Sequence, residues 1–303
     1  MSAKFTGDEI LYAAGGRIVK GGIGSQPGRV VWDLDEIGDG DWFVATSRGA
    51  EDTHDSLSEA FEKGARGCIV NRQSRYSLTP GAGALISVAD TRTAILELVR
   101  YWRYAVKPRV IVVTGTSGRK AIVKLLEFLL KDTYRCHLAF ERNGPGLSCM
   151  SDVLQMPKNT EVLIAEVSGA ERGDIARVGS CLAPDLAIVG NIEHPHLSFE
   201  GKATTAALHC EILDAVFEGG SAVVFDQSPD VEERAKKMVH GLRSVLFSQT
   251  PDFPKVAQSG WLADYADFSD SLGATDADRW CAWKASQALG ISPAKKEEFF
   301  NLT

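Results

Sequence analysis

The sequence has no apolar run near the ~20 residues that a membrane span needs, and no basic stretch leading into an apolar core at its N-terminus. Neither a membrane-spanning nor a secreted chain is expected, and the cytoplasm is the default compartment. The six cysteines, Cys68, Cys136, Cys149, Cys181, Cys210 and Cys281, lie far apart with no C-x-x-C pair, which excludes a disulfide framework and a zinc knuckle. They are expected as buried thiols. Positive charge is not in excess either: 33 Lys and Arg against 40 Asp and Glu leave a net charge of −7, which argues against a broad nucleic-acid surface. Internal repeats, low-complexity tracts and any Ser/His/Asp or Cys/His nucleophile spacing are lacking, and His137, His194 and His240 belong to no constellation.

What is present is an ordinary soluble composition, 44% hydrophobic and 24% charged, over 303 residues. That length exceeds one usual domain, so two are expected. Residues 1–90 read as a first α/β unit. It has a helix over Phe5–Ala14 ended by Gly15, strands at Arg29–Asp33, Trp42–Thr46, Cys68–Val70 and Ala84–Val88, and a helix over Ser56–Lys63. Residues 91–108 read as a connecting helix, with apolar Ile95, Leu98, Val99 and Trp102 on one face. From 109 to 303 strands alternate with helices, the pattern of a doubly wound, mostly parallel sheet. Its strands are expected at Val110–Thr114, Glu161–Val167, Leu186–Gly190, Ser221–Asp226 and Ser244–Phe247, and its helices at Ala121–Lys131, Ala206–Phe217, Val231–His240 and Asp278–Gly290. Residues 251–278 read as acidic and irregular.

In such a sheet ligands bind beyond the carboxyl ends of the strands, which singles out residues 115–120, 166–169 and 191–196. Val110 to Lys124 runs from buried strand through a glycine turn into a helix, the layout of a phosphate loop. In a working loop backbone N–H groups hold the phosphates, a Lys reaches the terminal ones and a hydroxyl holds Mg²⁺. Here Gly115, Thr116, Ser117 and Gly118 keep the turn, but Arg119 stands where Lys belongs and Lys120 where the hydroxyl belongs.

The order of several short motifs resembles the Mur ligase family over nearly the whole chain. In the first unit these are Gly38-Asp-Gly-Asp-Trp-Phe-Val-Ala45, Glu51-Asp-Thr-His-Asp55 and Ala60-Phe-Glu-Lys-Gly-Ala65, followed by Val88-Ala-Asp-Thr91. In the second they are Glu166-Val-Ser-Gly-Ala170 with Gly173-Asp-Ile175, Pro184-Asp185, Asn191-Ile-Glu-His-Pro-His196 and Cys210-Glu-Ile-Leu213. The resemblance implies a small N-terminal substrate-type domain that takes a UDP-linked sugar, and a central P-loop-like ATPase domain in which Asn191 joins residues 115–120 at the nucleotide. The family forms an amide bond through an acyl phosphate made from ATP with Mg²⁺, and carries a third domain that receives the incoming amino acid. That third domain is expected to be missing, since the sequence stops soon after the helix that closes the second unit.

Departures from the family pattern point away from its chemistry. Its loop reads Gly-Thr-Asn-Gly-Lys-Thr against Gly115-Thr-Ser-Gly-Arg-Lys120, and His209 stands where the family carries a carbamylated lysine that helps bind metal. The family's Asp-Ser-Arg contact to UDP corresponds to Asp33-Leu-Asp35, which leaves Asp33 as a substrate contact of the first unit, with His54 either a second such contact or a satisfied surface histidine. Magnesium wants anionic or neutral oxygen ligands. An ammonium ~4 Å from a divalent ion, at an effective dielectric of ~20, costs about 8 kcal/mol, so Lys120 opposes it if its ammonium points inward. Glu166, His196 and His209 read either as a two-histidine, one-carboxylate set of the transition-metal kind or as inherited polar residues hydrogen-bonded at strand and helix ends. Arg119 and Lys120 read either as anion-capturing groups or as a solvated helix start.

Two functions remain open. One is a non-catalytic pseudo-ligase: a binding, scaffolding or regulatory subunit that keeps a phosphate or nucleotide ligand and docks a partner, or a second copy, on the face left by a missing domain. Trp280, Trp283, Phe299 and Phe300 are its contact candidates, with ordinary core packing as their other reading. The alternative is an ATP-dependent amide ligase with an altered loop and an acceptor domain supplied by another chain.

Overall fold

The computed structural model describes residues 2–48, 51–75, 83–142, 147–192, 202–225, 229–238, 241–248 and 261–288. Two compact units divide the chain: residues 1–106 with 154–158, and 107–153 with 159–303. The helix expected as a connection falls in the first unit.

The first unit contains α1 (Gly7–Ala14), β1 (Arg17–Lys20), β2 (Val30–Val31), β3 (Trp42–Val44), a short hairpin of β4 (Ser47–Arg48) and β5 (Glu51–Asp52), α2 (Leu57–Glu62), β6 (Gly67–Asn71), β7 (Ala84–Val88) and α3 (Thr91–Val106). Its main sheet has the order β1-β7-β6-β3-β2, parallel except for β1. Thr6 starts α1 through a capping box with Glu9, as Thr-x-x-Glu spacing dictates. The apolar faces of β3, β6 and β7 close over α2, burying Phe43, Leu57, Ala60, Cys68, Val70 and Leu85. Residues 154–158 join this unit by backbone: Ala3 N–H donates to the Leu154 carbonyl at 2.8 Å and Trp102 Nε1 to that of Met156 at 3.0 Å.

The second unit holds β8 (Arg109–Thr114), α4 (Arg119–Leu130), β9 (Cys136–Ala139), most of α5 (Ser148–Gln155), β10 (Val162–Glu166), α6 (Asp174–Leu182), β11 (Leu186–Val189), α7 (Lys202–Asp214), β12 (Ser221–Phe225), α8 (Pro229–Met238), β13 (Ser244–Ser248), α9 (Trp261–Ser271) and α10 (Asp276–Ala288). Its six strands are all parallel, in the order β13-β12-β11-β8-β10-β9. The strands are buried throughout from β10 to β12, as unbroken Val/Ile/Leu/Ala runs require. The chain reverses direction across the sheet at β8, so the carboxyl ends of β10, β8 and β11 form the switch point where ligands bind in doubly wound folds.

The stretch expected as acidic and irregular contains α9. Tyr265 and Phe268, three apart, lie against Phe128 of α4, with ring centroids at 5.9 and 5.0 Å, while Asp267 and Asp270 stay exposed. Helical spacing of the aromatics outweighs the poor helix propensity of the aspartates. A second correction concerns the contact candidates. Trp280 and Trp283 are 2% and 5% exposed and lie in the core with Ile122, Leu126 and Phe225. They hold α10 onto α4 and β12 rather than offering a surface, while Phe299 and Phe300 lie outside the described residues.

No helix among the described residues is long and apolar enough to cross a membrane. The six cysteines are free, five of them buried. Burial pushes the Cys68 thiol up to about 12 and that of Cys136 up to about 11, so neither is a thiolate at neutral pH.

Candidate functional site

The loop from β8 to α4 lies at the switch point, and its neighbours are the ends of β10 and β11. Thr116 donates twice to the Asn191 carbonyl, from its N–H at 2.8 Å and its hydroxyl at 3.1 Å. This fixes residues 115–116 on the segment after β11. On the other side Arg119 Nε donates to Glu166 Oε1 at 3.0 Å, and its Nη1 donates to the Gly115 carbonyl. Glu166 is 7% and Arg119 23% exposed in their side chains, so the pair is largely out of water. The guanidinium therefore spans the loop inward, from the carbonyl that opens it to the carboxylate at the end of β10.

Lys120 takes the opposite course. It sits in the first turn of α4 and is exposed. Gly118, the N-cap, gives that helix no capping side chain, so the first-turn N–H groups have no side-chain acceptor there. Gly118 has φ +73, and a Cβ on it would stand 1.9 Å from Asp278 Oδ1, so conformation and space both demand glycine. Asp278 is 2% exposed and was missed in the sequence reading. Its Oδ2 accepts from the N–H and hydroxyl of Thr275, at 2.9 and 2.8 Å, at the start of α10. The signal was legible, since Thr275-Asp-Ala-Asp278 has capping-box spacing. What the spacing could not give was the contact with residue 118.

His209 on α7 is 2% exposed and pairs through Nδ1 with the Thr114 hydroxyl at 2.7 Å, so it lies at the end of β8. Two residues on, Glu211 accepts from the N–H groups of Gly173 at 2.9 Å and Ala176 at 3.3 Å and so caps α6. Of the expected metal set, Glu166 is engaged by Arg119, His209 by Thr114, and His196 lies outside the described residues. Among the described residues no group of three His, Cys, Asp or Glu side chains is placed to hold a metal.

In the first unit His54 is fully buried rather than at the surface. Its Nδ1 lies 2.6 Å from Asp52 Oδ1, and its Nε2 accepts the Asn71 N–H at 3.0 Å, which assigns the ring proton to Nδ1. Asn71 in turn accepts the N–H of Thr91 at the start of α3. With both ring nitrogens engaged, His54 ties the turn after β5 to β6. Asp33 accepts the Asp35 N–H at 2.9 Å as the cap of a short 3₁₀ turn, and Asp35 pairs with Lys63 at 3.1 Å.

Residues 113–259 match the family described as the Mur ligase middle domain. That match lies almost wholly within the second unit. The chain is also 28% identical over 179 residues to UDP-N-acetylmuramoyl-tripeptide--D-alanyl-D-alanine ligase of Bacillus subtilis, covering 59% of this chain and 39% of that protein. The corresponding ligase of Escherichia coli is 26% identical over 196 residues, covering 64% of this chain and 42% of its own length. The chain thus spans about two fifths of these curated relatives. A crystal structure of MurF from Acinetobacter baumannii superposes with a TM-score of 0.78 at 21% identity, over 99% of this chain and 68% of that one. MurF from Thermotoga maritima, solved in complex with ADP, gives 0.63 at 21% identity, over 84% and 65%. These are likenesses of fold, and the first of them covers the first unit as well.

Proposed function

We propose that this chain is a Mur-ligase-like binding or regulatory subunit that does not activate a carboxylate with ATP on its own. The carrying observation is the Arg119 guanidinium on Glu166 and the Gly115 carbonyl. In the resemblance Glu166 is a metal-binding carboxylate; here a cation of the chain neutralises it. Magnesium would have to displace that guanidinium and then sit beside Lys120, which replaces the metal-holding hydroxyl. The residues present do not fit Mg²⁺ at this loop.

The reading keeps a phosphate or nucleotide as ligand. The first-turn N–H groups of α4 and the exposed ammonium of Lys120 supply positive charge at one helix start, where an anion is favoured. Lys120 then provides part of the charge that a metal would bring. Partner docking remains part of the proposal, without Trp280 or Trp283 as its contacts.

The second reading is an ATP-dependent amide ligase completed by another chain, favoured by the shared middle domain and by the ligase names of the relatives. ADP release by the purified chain tests the first reading. The purified chain with ATP and Mg²⁺ should release no ADP above a control lacking protein, and Arg119→Lys with Lys120→Thr should not lower that level. Turnover by the native chain, lost in Lys120→Thr, would sink the first reading.

A further inference from the structure

The sheet of the first unit ends in a strand that buries nothing. Among the described residues β1 pairs only with β7 and lies at the edge, and all four of its side chains are exposed, with Ile18 and Val19 each at 48%. A strand is ordinarily held by the packing of one face. Here the backbone holds it, and the chain leaves β1 through Gly21 at φ +72, where a Cβ would stand 2.9 Å from the Gly83 carbonyl oxygen. Among the described residues no strand pairs with the outer side of β1, so a row of N–H and C=O groups faces away from β7.

The chemistry of that edge is one-sided. Arg17 and Lys20 flank Ile18 and Val19, and neither cation has an ion pair among the described residues. Neither β1 nor β7 contains an acidic residue. We propose that the outer edge of β1 receives an extended acidic segment of another protein as an added strand. Main-chain hydrogen bonds would supply affinity, and carboxylates facing Arg17 and Lys20 would supply selectivity. The register of β1 on β7 slips between Ile18 and Lys20, which places Arg17 and Lys20 on one face and Ile18 on the other, where it would cover an apolar partner side chain. A second copy of this chain is the poorer occupant, because antiparallel pairing of two β1 strands brings Arg17 opposite Lys20, and like charges directly opposed destabilise a strand pair. The inference rests on the first unit alone, so its failure would leave the phosphate-loop reading untouched.

The probe is the acetylated, amidated peptide Glu-Val-Thr-Val-Glu, with Lys-Val-Thr-Val-Lys as its charge-reversed counterpart. The acidic peptide should bind the full chain saturably, slow hydrogen exchange at the outer β1 amides, and weaken as salt is added. Reversing both charges with Arg17→Glu and Lys20→Glu should lower its affinity about tenfold and transfer preference to the basic peptide. The substituted side chains are exposed, and an unchanged melting temperature would verify the fold. Equal binding of the two peptides, no saturable binding of the acidic one, or native dimers that this double variant dissolves would overturn the proposal.

Discussion

Replacing Trp280 by alanine is expected to destabilise the second unit by about 3–5 kcal/mol, the usual cost of emptying a large aromatic site in a core. Trp280 is 2% exposed, with its ring centroid 6.0 Å from that of Phe225, and it belongs to the cluster that includes Ile122 and Leu126 of α4. The cavity would open behind the helix that carries the phosphate loop, so any anion affinity at Lys120 should fall with stability. Chemical denaturation followed by tryptophan fluorescence and circular dichroism measures the loss as a lower midpoint. A surface tryptophan would cost within about 0.5 kcal/mol on truncation. A stable Trp280→Ala chain with an altered oligomeric state would return this residue to an interface role.

The second large effect is expected at the buried pair in the loop. Arg119→Ala leaves the Glu166 carboxylate, 7% exposed, without its cation. Removing one partner of a fully buried pair costs about 3–5 kcal/mol; Arg119 is 23% exposed, so water recovers part of this and about 2 kcal/mol is expected. Adding Glu166→Gln to Arg119→Ala should restore most of it, because the uncompensated charge is then gone. The two single and one double variants form a cycle whose interaction energy isolates the pair. If the single and double variants were equally stable, Arg119 would be a solvated side chain that merely passes near Glu166, and the loop would be open to a metal.

The parts of this molecule that could be read from sequence are those fixed by local pattern. Unbroken apolar runs marked the buried strands β8, β10, β11 and β12, and the Gly115–Gly118 turn between strand and helix marked the site. β1 escaped notice because a strand exposed on both faces has no alternation to display, and α9 because its aspartates masked the spacing of Tyr265 and Phe268. The direction of Arg119 was equally hidden. Glu166 is 47 positions away, and only the adjacency of β8 and β10 brings the two together, so sequence alone offered the guanidinium a phosphate or solvent but not this carboxylate. His54 was read as exposed or substrate-facing for the same reason: its acceptor role toward Asn71 depends on the packing of the turn after β5 against β6.

The central claim is that Arg119, and not a metal, holds the carboxylate at the end of β10. The most direct measurement is calorimetric titration of the full chain with ATP, in Mg²⁺ and in EDTA. The expected result is one binding isotherm, its affinity the same within about twofold in both buffers and weakened about tenfold by Lys120→Ala, a change of about 1.4 kcal/mol. Binding that requires Mg²⁺, persists in Lys120→Ala and is abolished by Glu166→Gln would contradict the account and make Glu166 a metal ligand in this chain.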